Sequence, residues 1–318
     1  MKKKMELDVT RNKISKIDED IAKLLAERIA LSKNVGSAKK QSGSGVLVPG
    51  IEKNKLAELR EKYKNDIDAP VMNAVFREIF SASRAVQMPT RIAFLGPETS
   101  FTHQAAVQKF GSSMVFDALP SIPSIFQAVE KGEVEYGVVP IENSSEGTVN
   151  STLNMFLKTQ VGIVAEIGLP VEHCLMSSEP LDKIKKVFSH PQAIAQCSDW
   201  LAKHLPKAEI VEVASTAEGA QKTTVFHSSA AIGSELAAER HDLNIVARNI
   251  IDEPQNQTRF LVLGKTEAHQ TGQDKTSLIF SVPHKPGALL EALSVFKKHS
   301  LNMCTLWSRP TIIKKGEY

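Results

Sequence analysis

From Leu7 to Lys40 the chain contains no proline, and its one glycine there, Gly36, falls near the end. Ile14, Ile17, Ile21, Leu24, Arg28, Leu31 and Val35 recur at alternating spacings of three and four, which is the period of one helix face. The pattern predicts a helix about 50 Å long at ~1.5 Å per residue. Arg28 is the exception in this seam, a guanidinium where an apolar side chain belongs. A buried cation needs an anionic partner. Asp18 and Glu27 are the candidates within the helix, and a ligand carboxylate is the alternative. Lys39 lies roughly 16 Å further along and is rotated by only ~20°, so two leaning side chains can bracket a small dianion. Arg11 lies roughly 25 Å away on the other side. It cannot reach that ligand within one straight helix, so its participation implies a dimer.

Charge supports a small-anion site at this end. Residues 1–90 hold 18 Lys and Arg against 12 Asp and Glu, whereas residues 91–318 hold 21 against 24. The basic residues are mixed with acids and lack an aromatic platform, which argues against nucleic acid. At 318 residues the chain calls for more than one domain. Met1-Lys2-Lys3-Lys4-Met5-Glu6 has no apolar run behind it, so no signal peptide is expected. No stretch approaches the apolar length of a membrane span. Three scattered cysteines, Cys174, Cys197 and Cys304, suit a reducing cytoplasm. Nine histidines without ligand spacing give no metal site, and nothing calls for a cofactor.

After Ser42-Gly43-Ser44-Gly45, two further helical patterns cover about Ile51–Tyr63 and Val71–Gln87. The next 170 or so residues read as an α/β alternation. Ile92-Ala93-Phe94-Leu95 is a buried strand ended by Gly96-Pro97, followed by Glu98-Thr99-Ser100-Phe101-Thr102-His103 and a helix over Gln104–Phe110. Tyr136–Ile141 is a second, breaking into Glu142-Asn143-Ser144-Ser145-Glu146-Gly147-Thr148. Ser189-His190-Pro191-Gln192-Ala193 follows a third, Lys186–Phe188. Ser215-Thr216-Ala217 follows a fourth, Ile210–Val213. Asn256-Gln257-Thr258-Arg259 opens the run Phe260–Leu263. Ligands in such sheets sit beyond the carboxyl ends of the strands. Helix capping is the structural alternative for Ser144 or Thr148.

The first three helices, with Arg11, Arg28, Lys39, Glu52, Ser83 and Gln87 at these positions, resemble the all-helical class of chorismate mutase. The resemblance implies an intertwined dimer that rearranges chorismate to prephenate without covalent chemistry. Arg28 and a partner-chain Arg11 would hold carboxylates, Glu52 would lie near the substrate hydroxyl, and Lys39 and Gln87 would stabilise charge on the ether oxygen. The family pattern has an acid near position 48 and an arginine just before the glutamate; this chain has Val48 and Ile51.

The runs Gly96–Phe101, Pro140–Ser144, Ser189–Ala193 and Thr258–Phe260, in this order, resemble prephenate dehydratase. That implies two α/β lobes like a periplasmic solute-binding protein, with the site in the cleft. The chain would leave the first lobe near Gly168 and return near Ile250. The reaction implied is prephenate to phenylpyruvate with loss of carbon dioxide and water. Thr258 would be the key donor. Ser100, Asn143, Ser144, Thr148, Gln192 and Arg259 would be substrate contacts.

In the last segment, Thr276–Val282 and Leu301–Trp307 read as strands around a helix over Pro286–His299. Gly287-Ala288-Leu289 and Ser308-Arg309-Pro310 resemble the phenylalanine-binding motifs of the regulatory ACT domain. Trp307 stands where that family usually has glutamate, and the chain stops at Tyr318 after one βαβ unit. The expected organisation is a helical mutase over 1–88, a dehydratase over 91–266 and a partial ACT module over 275–318. Two alternatives stay open at this point: a dehydratase whose first segment only dimerises the chain, and a non-catalytic sensor of aromatic metabolites.

Overall fold

The computed structural model describes residues 2–42, 49–145, 147–252, 256–265, 272 and 274–308, without the side chains of 2–6, 38–42 and 49–51. Of the positions singled out above, Lys39, Val48, Ile51, Arg309 and Pro310 therefore lie outside the described side chains. The chain divides into two units, Met1–Gln270 and Thr271–Tyr318.

The first unit begins with three helices: α1 (Lys2–Ser42), α2 (Pro49–Lys62) and α3 (Ala69–Gln87). Pro70 sits in the first turn of α3, where its missing N–H costs nothing. A Cβ at Gly36 would come within 2.7 Å of the Gln87 Cα, so glycine lets α1 and α3 meet backbone to backbone. The α1 seam is otherwise uncovered. Ile14, Ile17, Ile21, Leu24, Leu31 and Val35 are 48–66% exposed and form an apolar stripe along the helix.

Eleven strands and seven helices follow in the same unit: β1 (Arg91–Leu95), α4 (Phe101–Phe110), β2 (Val115–Leu119), α5 (Ile122–Lys131), β3 (Tyr136–Asn143), β4 (Gly147–Thr148), α6 (Asn150–Phe156), β5 (Gly162–Pro170), β6 (Cys174–Ser177), β7 (Lys186–Ser189), α7 (Pro191–Ala195), α8 (Ser198–His204), β8 (Glu209–Glu212), α9 (Thr216–Thr223), β9 (Ser229–Gly233), α10 (Glu235–Arg240), β10 (Asn244–Ala247) and β11 (Gln257–Gly264). They form two sheets. The first has the order β2-β1-β3-β11-β5, with β4 paired to β3; the second has the order β10-β6-β9-β7-β8. The chain crosses from β5 to β6 through 171–173 and returns from β10 to β11 through 248–256. This is the two-lobed arrangement expected from the sequence.

The unbroken apolar runs arise because both faces of the first sheet are covered. Phe260 and Val262 pack with Ile92, Phe94, Phe110 and Val138 on one face. Leu261 and Leu263 pack with Ala93, Ile125, Phe126 and Val139 on the other. In the second lobe, Leu175, Val187 and Ile232 share a core with Ala193 and Leu201.

Four hydrogen bonds fasten α3 to the first lobe. Ser112 gives its N–H (2.9 Å) and O–H (2.7 Å) to Glu78. The Ser113 N–H reaches Ser81 Oγ at 3.1 Å, and Arg84 Nη2 donates to the Phe110 carbonyl at 2.5 Å. Gly111 has φ +76° and any Cβ there would strike the Ser81 side chain, so the turn after α4 has to be glycine.

In the second unit only α11 (Ala288–Lys298) is regular among the described residues. The strands expected over Thr276–Val282 and Leu301–Trp307 are not formed: 274–283 and 301–308 are irregular. A strand is stabilised by a neighbouring ladder, and neither run pairs with another among the described residues. Gly287 adopts φ +84° before α11, Ala288 is buried, Leu289 is exposed, and Ser308 is exposed.

Candidate active sites

The first cluster lies among α1, α2 and α3. Arg28 Nη1 contacts Ser83 Oγ, donates to the Ile79 carbonyl at 3.3 Å, and places its guanidinium 5.4 Å from the Phe80 ring centroid. Neither Asp18 nor Glu27 pairs with it, and it makes no ion pair among the described residues. Burial pushes its pKa down, with Glu52 opposing. Arg28 is therefore a half-buried cation without a bound carboxylate.

Glu52 from α2 is claimed by another arginine. Arg84, 4% exposed, donates to both Glu52 carboxylate oxygens. Lys109, from α4, is half-buried beside this pair; burial lowers its ammonium pKa, Glu52 opposes, and Arg84 and Lys53 add to the lowering. Gln87 ends α3 with its Oε1 buried and lacking a hydrogen-bond partner. Arg11 lies apart on the exposed first half of α1, 3.9 Å from Asp8. The structure thus gathers Arg28, Glu52 and Ser83, and adds Arg84, which sequence reasoning missed.

The second cluster occupies the facing edges of the two lobes. Loops after β1, β3, β7 and β9 all leave the carboxyl ends of their strands, and β11, antiparallel to β3, begins at that same edge. Ser234 Oγ, after β9, donates to the Thr99 carbonyl, after β1, at 2.9 Å. Arg240 lies 3.6 Å from Glu98. The two edges therefore face each other, and the space beyond such strand ends is the expected ligand position for these sheets.

Thr258 and Asn143 are partners in the β11–β3 register. Asn143 Oδ1 accepts the Ser145 N–H at 2.9 Å, which requires oxygen on that side. Nδ2 therefore faces Thr258 and donates to its Oγ1 at 2.7 Å. The Thr258 oxygen accepts, so its O–H hydrogen points elsewhere. Ser144 Oγ donates to Asn256 Oδ1 (3.2 Å) and accepts the Gln257 N–H (2.9 Å). Asn256 is 5% exposed and its Nδ2 is buried without a partner. This amide was not among the site residues drawn from sequence, although it opens the same run as Thr258.

The other expected contacts are placed as follows. Ser100 caps α4: its Oγ accepts the His103 N–H at 3.3 Å and donates to the Leu95 carbonyl at 3.1 Å. Thr148 sits in β4 opposite Glu142 and does not cap α6. Gln192 is exposed in the first turn of α7, its N–H donated to His190 Nδ1 at 3.3 Å. Arg259 is held by two carboxylates, Glu142 on β3 and Glu166 on β5. The Glu166 hydrogen bond, then Glu142, raises its pKa against burial.

Two histidines border the cleft. His103 Nδ1 accepts the Thr99 N–H at 3.0 Å, and its ring stacks on Phe94 at 4.4 Å. His173 lies in the crossing between lobes, with Nε2 3.0 Å from Gln196 Oε1 and its ring against Phe101 at 5.2 Å. Burial lowers both pKa values, opposed by Glu98 at His103 and by Gln196 at His173. Thr99 Oγ1 and His173 Nδ1 are buried without partners. Buried polar atoms left unpaired in this way are what a polar ligand site offers. A groove of about 460 Å³ also runs by Phe116, Leu119 and Val134; Thr258 and Asn143 do not line it.

Fold and sites together define a helical module fused to a two-lobed cleft enzyme. A family model for chorismate mutase type II matches residues 10–88, and one for prephenate dehydratase matches residues 92–268. A bifunctional chorismate mutase/prephenate dehydratase of Aquifex aeolicus is 41% identical over 98% of this chain and 88% of its own length. The protein of the same name from Stutzerimonas stutzeri is 38% identical over 98% and 88%. The solved prephenate dehydratase from Arthrobacter aurescens in complex with L-Phe aligns with a TM-score of 0.62 and 34% identity, over 70% of this chain and 77% of that one. The chain belongs to the bifunctional chorismate mutase/prephenate dehydratase family.

Proposed function

We propose that the chain performs two consecutive steps, chorismate to prephenate in its helical part and prephenate to phenylpyruvate in its cleft. The observation that carries this reading is the pairing of two unsatisfied sites in one chain: an arginine without a carboxylate at Arg28, and an oriented hydroxyl at Thr258.

In the first step no bond to the enzyme forms. Arg28 binds one carboxylate of chorismate and a partner-chain Arg11 another. Ser83 fixes the Arg28 guanidinium, Glu52 meets the substrate hydroxyl, and Lys39 and Gln87 face the ether oxygen. Holding the folded conformer supplies the rate. The uncovered α1 seam supports a homodimer, which brings Arg11 to the site.

In the second step the ring carboxylate leaves as carbon dioxide. Its electron pair completes the aromatic ring as the C–O bond to the hydroxyl breaks, and a proton converts the departing hydroxide to water. Thr258, oriented by Asn143, donates to that hydroxyl. Ser144, Asn256, Thr148 and Gln192 contact the substrate, while Ser100 shapes the loop and Arg259 locks β3, β11 and β5 together.

We assign 1–88 to the mutase, 91–266 to the dehydratase and 275–318 to a partial ACT module. Phenylalanine is the effector we expect there, at Gly287, Ala288, Leu289 and Ser308, supported by the L-Phe bound to the Arthrobacter relative. Three free cysteines, two of them buried, fit a reducing cytoplasm. Among the described residues no helix is long and apolar enough to cross a membrane. The test is a paired assay of chorismate loss and phenylpyruvate formation with and without phenylalanine. Loss of dehydratase turnover in Thr258→Ala, with the mutase intact, supports the reading; unchanged prephenate turnover overturns it.

A further inference from the structure

We propose that Arg84 is a positioning residue of the mutase, keeping Glu52 away from Arg28 so that Arg28 stays open to a substrate carboxylate. The inference rests on the reading of Arg28 as a carboxylate-binding residue. Three observations lead to it. Among the described residues Arg28 contacts a hydroxyl, a carbonyl and an aromatic ring, but no carboxylate. Arg28 contacts Ser83 and Glu52 pairs with Arg84, the next residue of α3, so both groups meet one stretch of that helix, and Glu52 opposes the lowering of the Arg28 pKa. Yet both Glu52 oxygens are held by Arg84 Nη1.

Arg84 has no freedom to do otherwise. Its side chain is 5% exposed, against 29% for Glu52. Nη2 is donated to the Phe110 carbonyl at the end of α4. The arginine is thus anchored in the dehydratase lobe and reaches back to the mutase carboxylate. A carboxylate this close to two guanidiniums pairs with whichever is preorganised. With Arg84 in place that one is Arg84. Without it, the part-buried Glu52 turns to the cations it already acts on, Arg28 and Lys109. Arg28 would then be neutralised before chorismate arrives. Arg84 supplies its guanidinium to Glu52 from a different helix, α3 to α2. A consequence is that mutase geometry depends on the dehydratase lobe, through Phe110.

The test uses the full-length chain and four variants: Arg84→Met, Glu52→Gln, the double variant, and Arg28→Gln. Chorismate and prephenate kinetics are measured for each, with thermal midpoints to verify folding. In Arg84→Met the chorismate KM is expected to rise about ten- to hundredfold, the scale of a charge-assisted hydrogen bond. Its kcat changes less, and prephenate kinetics stay as in the wild type. In the double variant the neutral amide no longer captures Arg28, so KM returns to that of Glu52→Gln alone. A merely structural arginine gives no such rescue. An unchanged KM in Arg84→Met overturns the proposal, as do multiplying effects in the double variant or dehydratase loss in step with the mutase. If Arg84→Met does not fold, Arg84→Lys, which cannot span both Glu52 and Phe110, carries the same comparison. Unimpaired chorismate binding in Arg28→Gln would instead sink the underlying reading of Arg28.

Discussion

Asn143 and Thr258 stand opposite each other on β3 and β11, 115 residues apart in sequence, with the amide donating to the hydroxyl at 2.7 Å. The Ser145 N–H fixes which end of the amide faces Thr258. A threonine hydroxyl is a weak donor when it rotates freely. One whose oxygen is pinned by an incoming N–H aims its own hydrogen in a set direction, which is preorganisation.

Asn143→Asp tests this directly. A carboxylate cannot donate to Thr258, so the hydroxyl turns to donate to the aspartate and is lost to the substrate. Dehydratase kcat is expected to fall about 10²–10³-fold, the usual cost of one lost transition-state donor. Mutase turnover stays unchanged, because Asn143 lies in the other module. A steady-state assay of both reactions on one preparation reads the result.

Arg259 spans three strands through Glu142 and Glu166, and Arg259→Met leaves both carboxylates without their cation. Its side chain is 24% exposed and the acids are 33% and 34% exposed, so solvent screens part of the loss. We expect about 2 kcal/mol of destabilisation, less than for a fully buried pair. Urea unfolding of the single variant and of the variant carrying Glu142→Gln and Glu166→Gln as well measures it. The triple variant recovers part of the loss, since the carboxylates that Arg259 neutralised are removed with it.

His103 and His173 set an acid limit on stability. Both have folded pKa values below the usual ~6.5, so the unfolded chain binds protons more readily. Their contribution is complete above the unfolded pKa and is lost as pH falls below it toward the folded values. Protonation at His103 also destroys the acceptor for the Thr99 N–H. The thermal midpoint is therefore expected to fall as the pH drops below about 6.5. His103→Asn, which keeps an acceptor and cannot titrate, flattens that limb; an equally steep limb in the variant would assign it to other groups.

Much of this architecture is legible in the residue pattern, and what is hidden has a common cause. The α1 period shows at once because thirty-odd residues repeat one spacing. Ile92–Leu95 and Phe260–Leu263 show because both sheet faces are covered, so alternate residues have no polar side to face. By contrast β2 and β5 are each interrupted by a carboxylate, Asp117 and Glu166, and have partly exposed faces, so no unbroken apolar run marks them. Thr276–Val282 and Leu301–Trp307 carry strand-like residues, yet propensity without a ladder makes no strand. Pairings are the least visible. Nothing local says that Arg84 will find Glu52, or Arg259 Glu142 and Glu166. Those contacts are set by how helices and strands stack. The unpaired Asn256 Nδ2 likewise becomes evident only once Ser144 is seen to occupy its oxygen.

Arg11 and Arg28 lie on one helix, seventeen residues apart, and cannot serve one chorismate in the same chain. If each site combines Arg28 of one subunit with Arg11 of its partner, two inactive variants must restore each other. Arg11→Gln supplies an intact Arg28, and Arg28→Gln supplies an intact Arg11. In their heterodimer one site receives both arginines and the other receives neither. Random reassembly of equal amounts gives about half heterodimers, each with one good site of two, so about a quarter of wild-type mutase activity is expected. Either variant alone stays near background. Dehydratase turnover is the same in all samples, because Thr258 and its partners come from one chain. Recovery requires subunit exchange, which co-expression or refolding from urea provides. Leu24→Glu and Leu31→Glu on the exposed seam are expected to abolish the recovery by splitting the dimer, visible as a halved mass in light scattering. Absence of recovery in a mixture shown to contain heterodimers would mean that Arg11 plays no part in the site.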